Sequence, residues 1–175
     1  MADIGASILA KLKNKSKASG IPYQQCLQLF FQEEFLRRLS KSKYAENFIL
    51  KGGLFIHTLT NFESRATVDV DFLMRRMSNE LEHMDAVIEE IIATQTGNND
   101  VVILSAKQTE QISPQRKYPG VSTQIIGRIK NVRVPFAVDV GIGDVIVPSP
   151  QKRTVPPQLD GYEAPEVLTY SLEST

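Results

Sequence analysis

The chain has 175 residues, a length that excludes a long array of domains. Its residues are 42% hydrophobic and 23% charged, and this composition excludes a disordered protein. Lys and Arg (20) balance Asp and Glu (20), so no overall field draws the chain to nucleic acid or to an anionic membrane. No apolar run approaches the ~20 residues that a membrane-spanning helix needs. The single cysteine, Cys26, excludes an intrachain disulfide, and its apolar helical surroundings indicate a buried structural thiol. These features predict a cytoplasmic protein with no membrane association.

Residues 1–44 are predicted to form a helical segment that packs on the core. The basic stretch Lys11–Lys17 is either a nucleic-acid contact or the solvated, frayed end of a helix, and the lack of interleaved aromatic residues favours the second interpretation. Pro22 suits the first turn of a new helix, which apolar spacing extends to about Ser40. Arg37 and Arg38 are interpreted as cations that favour the C-terminal end of this helix.

The centre of the sequence reads as a strand, a glycine turn, a helix and a second strand. The apolar run Phe48–Leu50 ends at Lys51, which is followed by Gly52 and Gly53. A glycine pair lets the backbone approach a ligand closely, and the start of the next helix offers unpaired N–H groups to an anion. Lys51 either reaches a triphosphate or is an exposed residue at a strand end.

Asp69 and Asp71 stand two residues apart in the next apolar run, so strand alternation places both carboxylates on one face, roughly 6.5 Å apart. Two such charges repel each other unless a cation lies between them. Mg²⁺ binds through one or two carboxylates plus substrate phosphates, which predicts a metal site beside the glycine turn. Arg65 is either a phosphate partner or an ion-pair partner that orients the two aspartates.

The later elements alternate between helix and strand. A helix is predicted from Asn79 to Thr94, and strands are predicted to start at Val101, Val121 and Val132. The tight-turn candidate Asn131 predicts a hairpin between the last two strands. Together with the strands at Phe48 and Val68, these form most of a sheet.

The combined pattern resembles a known family. Gly52-Gly53 followed by Asp69-Val-Asp71 resembles the signature of the nucleotidyltransferase superfamily. The fuller pattern of Lys51-Gly-Gly, Arg65-x-Thr67 and Asp69-x-Asp71 is similar to the AbiEii/AbiGii abortive-infection toxins, which are nucleotidyltransferase-like toxins of type IV toxin–antitoxin pairs. The similarity covers about residues 20–175.

The resemblance implies an α/β nucleotidyltransferase fold, in which a small mixed β-sheet is flanked by helices. It implies transfer of a nucleoside monophosphate from a nucleoside triphosphate to an acceptor, which is expected to be an RNA such as tRNA. It also implies that the chain acts as a toxin and has a cognate antitoxin. Two Mg²⁺ ions, about 3.5–4 Å apart, are expected on three carboxylates. The expected nucleotide-binding residues are Lys51, Gly52, Gly53, Arg65 and Thr67.

Asp139 is the candidate for the third carboxylate beside Asp69 and Asp71. It is a lone carboxylate in an otherwise apolar strand, where a buried charge is costly unless it is paired or metal-bound. The resemblance implies a third catalytic carboxylate from a later, neighbouring strand. The alternative is a structural ion pair with Lys or Arg, and Asp144 is the reserve candidate.

The expected organisation is a helical segment at 1–44, a core at 45–147 and a proline-rich crossover at 148–175. A helix is predicted to open in the last stretch, from Leu168. The resemblance implies a further helical part that brings a lysine and an acidic residue to the nucleotide, so the chain is expected to be truncated. Two rival hypotheses are a catalytically silent relative that binds nucleotide or RNA, and a non-enzymatic interaction domain with ion-paired aspartates.

Overall fold

The computed structural model describes residues 3–51, 69–75, 81–112, 120–141 and 150–169. In these residues the helices are α1 (Ile4–Ser19), α2 (Tyr23–Lys41) and α3 (Leu81–Ala93). The strands are β1 (Phe48–Lys51), β2 (Val70–Met74), β3 (Ile103–Ile112), β4 (Gly120–Ile129), β5 (Val132–Gly141), β6 (Gln151–Thr154) and β7 (Glu166–Thr169). Over the same ranges, no helix has the length and apolar character needed to cross a bilayer.

All seven strands belong to one mixed sheet with the order β3-β4-β5-β2-β1-β7-β6. Two neighbouring pairs are parallel, namely β2 with β5 and β1 with β7, and the other pairs are antiparallel. The predicted hairpin between β4 and β5 is present, with Lys130 at φ 53° in its turn. This architecture confirms the predicted α/β class with a small mixed sheet and packed helices.

Helix α1 includes the whole basic stretch that was predicted to be a frayed end. Asp3 caps its start by accepting a hydrogen bond from the Ala6 N–H at 3.0 Å, and Gly20 ends it with a left-handed φ of 78°. Lys15 Nζ donates to the Gln158 carbonyl at 2.8 Å. The stretch is therefore regular helix and not frayed, while Lys11, Lys13 and Lys17 are exposed to solvent as the favoured interpretation expected. Lys15 is the exception, because it ties the helix to a distant segment.

The two faces of the sheet differ because side chains alternate along each strand. Phe48 and Leu50 of β1 face the large core that the three helices cover, together with Val70 and Phe72 of β2. Ile49, Leu73 and Leu168 form a separate small cluster from the intervening positions. Lys51 lies two residues after Ile49, and Asp71 lies two residues before Leu73. Residues two apart in a strand share a face, so the side chains of Lys51 and Asp71 leave the face opposite the helices.

Helix α2 carries four buried charged residues, Glu33, Glu34, Arg37 and Arg38, which we call the α2 charge network. Arg37 pairs with both glutamates, and Arg38 Nε donates to Glu34 at 2.8 Å. The sequence-based interpretation of the two arginines as helix-end cations is therefore incomplete, because Arg38 does lie in the last turn of α2 but both arginines are buried and paired. Glutamates three and four residues earlier stand on the same helix face and neutralise them.

The α2 charge network also joins α2 to three other parts of the fold. The guanidinium of Arg38 donates to the carbonyls of Ile92 and Val102 at 2.9 and 2.6 Å. Arg37 Nε donates to the Glu163 carbonyl at 2.7 Å, and Glu33 accepts from the Gln158 N–H at 2.6 Å. The network thus fixes the end of α3, the start of β3 and the segment before β7.

The C-terminal region differs from the sequence prediction. Strands β6 and β7 pair with each other, and β7 pairs in parallel with β1, where a crossover and an opening helix were expected. Leu168 lies in β7 and is buried, so the predicted helix does not begin there. Residues 170–175, which the predicted helix also covered, lie outside the described residues.

Candidate active site

A row of polar residues crosses five neighbouring strands on the face opposite the helices. The strand register sets Lys51 opposite Asp71, and Asp71 opposite Asp139. It continues with Ser122 opposite Asp139, and Glu110 opposite Ser122. Directly opposed residues in a sheet leave the same face, so these five side chains form one line, which we call the polar row. Three sequence-predicted residues, Lys51, Asp71 and Asp139, are brought together in it.

Asp69 lies beside the polar row, just before β2. The Ala137 N–H of β5 donates to Asp69 Oδ1 at 3.3 Å, which holds the carboxylate against the strand that carries Asp139. Burial raises the pKa of Asp69, and the negative charge of Asp139 raises it further. The two carboxylates are therefore close enough to repel each other, and a bound cation would relieve that repulsion.

Asp139 is half-buried, and its hydrogen-bond partner is a hydroxyl group. Ser122 Oγ on β4 donates to Asp139 Oδ1 at 2.6 Å. An ion pair with Lys or Arg was the alternative explanation for this carboxylate, and no ion pair of Asp139 is found in the described part of the chain. The carboxylate is thus oriented without being neutralised by that partner.

Lys51 reaches across the sheet toward the carboxylates. A Cβ atom built on Gly141 of β5 would lie 3.3 Å from Lys51 Nζ. Because β2 separates β1 from β5, the Lys51 side chain must extend over β2 to make this approach. Gly141 is two residues from Asp139, so the ammonium group lies on the side of the sheet that holds the acidic residues. The sequence left Lys51 undecided between this position and an exposed strand end.

A cavity of about 360 Å³ borders the polar row on the side of β3 and β4. Its lining consists of Lys107, Glu110, Ser122, Gln124 and Ala137. Two of these residues also contact the aspartates, since Ser122 donates to Asp139 and the Ala137 N–H donates to Asp69. The cavity therefore opens beside the carboxylates and offers cationic, anionic and amide groups to a polar ligand.

The remaining predicted site residues lie outside the described ranges. These are Gly52, Gly53, Arg65, Thr67 and the reserve carboxylate Asp144. Their proposed roles stay predictions.

The donor set fits Mg²⁺ when part of the coordination comes from the substrate. Within the described ranges, no group of three or more His, Cys, Asp or Glu residues is arranged to hold a metal on its own. Mg²⁺ does not require such a cage, because it commonly takes one or two carboxylates plus waters and substrate phosphates. Asp71 and Asp139, which stand opposite each other on parallel strands, supply hard oxygen donors of this kind.

Two residues of the site were not found from the sequence. Ser122 is an ordinary residue in a β-pattern, and only the pairing of β4 with β5 shows that it faces Asp139. Gly141 ends a β-run, and its role follows from the approach of Lys51 from a non-adjacent strand. No local sequence signal marks either residue.

Comparison with known proteins identifies one family and two structural neighbours. The family model described as "Nucleotidyl transferase AbiEii toxin, Type IV TA system" matches residues 34–175. Among proteins of curated function, none matches the sequence.

A crystal structure of a candidate nucleotidyltransferase from H. pylori superimposes with a TM-score of 0.51 at 12% identity, over 88% of this chain and 56% of that one. The crystal structure of JHP933 from Helicobacter pylori also gives 0.51 at 12% identity, over 86% and 53%. The chain thus spans about half the length of these two proteins, and at this identity the likeness shows the fold.

Proposed function

Because the chain belongs to the AbiEii nucleotidyltransferase toxin family of type IV toxin–antitoxin systems, we propose that it is a Mg²⁺-dependent nucleotidyltransferase. It would move a nucleoside monophosphate from a nucleoside triphosphate to an acceptor hydroxyl. The observation that carries this proposal is the parallel pairing of β2 with β5, which sets Asp71 opposite Asp139. Carboxylates from two separate parts of the chain converge there, with Asp69 beside them.

Each residue of the site has a role in this reaction. Asp69, Asp71 and Asp139 would hold Mg²⁺, which when bound stabilises the negative charge that develops on the phosphates. Lys51, directed over Gly141, would pair with a phosphate oxygen as a point charge. Gly52 and Gly53 remain the predicted phosphate-binding turn, with Arg65 and Thr67 assisting.

The chemistry is an in-line displacement at the α-phosphorus. The acceptor oxygen forms a new bond to this phosphorus, the bond to the bridging oxygen breaks, and pyrophosphate leaves. The acceptor hydroxyl loses its proton to water. The contribution of the chain is to orient the two reactants and to stabilise charge, which are the main sources of rate enhancement in such transfers.

We propose an RNA such as tRNA as the acceptor and a cognate antitoxin as the regulatory partner. Support for the antitoxin is the type IV toxin–antitoxin assignment of the family. Support for the acceptor is the cavity beside the carboxylates, where Lys107 suits a phosphate and Gln124 suits a base edge.

Thermal melting with each ribonucleoside triphosphate, with and without Mg²⁺, tests nucleotide binding. A ligand at 100 times its Kd stabilises the folded state by about 2.7 kcal/mol, which corresponds to a Tm increase of about 5–10 °C for a chain of this size. We expect this increase to require Mg²⁺ and to disappear in Asp71→Asn. Asp160→Asn is the matched control, because Asp160 is exposed in a turn away from the polar row.

Incubation with total tRNA and an α-³²P-labelled triphosphate then tests transfer. Label retained on RNA, with release of pyrophosphate, is the expected result. Nucleotide binding without transfer to any RNA would instead favour the catalytically silent relative. A Tm that no combination of nucleotide and Mg²⁺ changes would contradict the proposed function.

A further inference from the structure

Ser122 is the hydrogen-bond partner of Asp139 on the neighbouring strand. It lies directly opposite Asp139 on the neighbouring strand, and its Oγ donates to Oδ1 of the carboxylate at 2.6 Å. A hydrogen bond of this length restricts the rotation of the carboxylate about the Cβ–Cγ bond and favours the orientation in which Oδ1 faces β4. Oδ2 is then the oxygen that is held in position for another ligand.

The chemical type of the partner matters as much as its position. A Lys or Arg side chain opposite Asp139 would neutralise the carboxylate and compete with a metal ion for it. A serine hydroxyl orients the carboxylate and leaves its negative charge in place. Ser122 is only half-buried and also lines the cavity, so it stands between the acidic residues and the polar space beside them.

We propose that Ser122 is a positioning residue that holds Asp139 in the orientation that binds a metal–nucleotide complex. This inference rests on the proposed function, and it extends the site to strand β4. Hydrogen-bond partners of metal-binding carboxylates typically contribute 10–100-fold to metal affinity.

A purely structural role for Ser122 makes a different prediction. In that case the hydroxyl would only satisfy a half-buried carboxylate, and its removal would lower the Tm without a selective effect on metal binding. Metal affinity and Tm must therefore be measured on the same variants.

The test is a Mn²⁺ titration of the full chain in the presence of non-hydrolysable α,β-methylene analogues of the four ribonucleoside triphosphates. Electron paramagnetic resonance measures the fraction of Mn²⁺ that is bound. Ser122→Ala is expected to bind Mn²⁺ with the analogue about tenfold more weakly than wild type. Ser122→Thr, which retains the hydroxyl, is expected to stay within about threefold. Ser105→Ala on β3 is the matched control, because this exposed strand serine lies outside the polar row.

Equal Mn²⁺ affinity in Ser122→Ala and wild type would overturn the role of Ser122 and leave the proposed function intact. An absence of Mn²⁺–nucleotide binding in wild type would overturn both. Ser122→Cys keeps the side-chain size but is a weaker donor, and it replaces the alanine variant if that variant does not fold. In that case wild-type affinity in the cysteine variant would equally overturn the inference.

Discussion

Replacing Glu34 with glutamine removes the centre of the α2 charge network while keeping the size of the side chain. Glu34 is fully buried and accepts hydrogen bonds from four donors at 2.7–2.9 Å. Arg37 and Arg38 donate from the same helix, and Thr96 and Asn98 donate from the loop after α3. A neutral amide at this position leaves a guanidinium charge uncompensated and places N–H groups against other donors.

The expected loss follows from the number of contacts that survive. Charge-assisted hydrogen bonds contribute about 1.5–3 kcal/mol each. The sum of four such bonds would overstate the loss, because both arginines keep other partners. Arg38 keeps its two carbonyl acceptors, and Arg37 keeps Glu33. Removing one partner of a buried ion pair costs about 3–5 kcal/mol, and this range is the expected fall in the unfolding free energy of Glu34→Gln.

Urea unfolding at pH 7, followed by circular dichroism, measures this loss. Glu90→Gln is the matched control, because Glu90 also contacts a cation, Lys43 at 3.2 Å, but does so at the exposed surface. Solvent screens such a pair, so the control is expected to stay close to wild type. A loss below about 1 kcal/mol in Glu34→Gln would refute the view that the network stabilises the fold through its charges.

Three further predictions concern pH and packing. Burial alone would raise the pKa of Glu34, but its hydrogen bonds hold that pKa below the usual value. The stability that the Glu34 carboxylate contributes is therefore lost as the pH falls through this pKa. Urea unfolding should show the unfolding free energies of wild type and Glu34→Gln converging below about pH 4. In Gly141→Ala the new Cβ would lie 3.3 Å from Lys51 Nζ, so the ammonium group must shift by a few tenths of an ångström. Nucleotide affinity in a melting assay should then fall while the Tm without ligand changes little. In Gly127→Ala the new Cβ would overlap the buried Phe31 ring, so urea unfolding should show a loss of about 1–3 kcal/mol.

Local patterns in the sequence were enough to predict most of the helices and the central strands. Helical spacing located α2, and the turn at Asn131 located the β4–β5 hairpin. The prolines around β6 and β7 obscured the last two strands, because proline lowers the expectation of regular structure over several neighbouring residues.

The α2 charge network could have been recognised from the sequence. Glu33 and Glu34 precede Arg37 and Arg38 by four residues, which is the spacing and order that favour ion pairs on a helix. The surrounding apolar residues indicate that this part of the helix is buried. The interpretation as helix-end cations places Arg38 correctly in the last turn but misses the glutamates that pair with both arginines.

The assembly of the candidate site could be predicted only in part. The two-residue spacing placed Asp69 and Asp71 together, and the family pattern suggested Asp139. The contributions of Ser122 and Gly141 depend on which strands become neighbours, and that is decided by packing between distant parts of the chain. The catalytic roles themselves stay predictions until metal and nucleotide binding are measured.

The insertion of β2 between β1 and β5 has a consequence for the order in which the candidate site is completed during synthesis. Asp71 leaves the ribosome well before its partner Asp139, which is roughly 70 residues further along and is synthesised several seconds later at ~5–20 residues per second. Until β5 has been translated and docked, a nascent chain has only two of the three candidate carboxylates, Asp69 and Asp71, in place. The site proposed for nucleotidyl transfer is therefore completed only late in synthesis, when β5 joins the sheet beside β2.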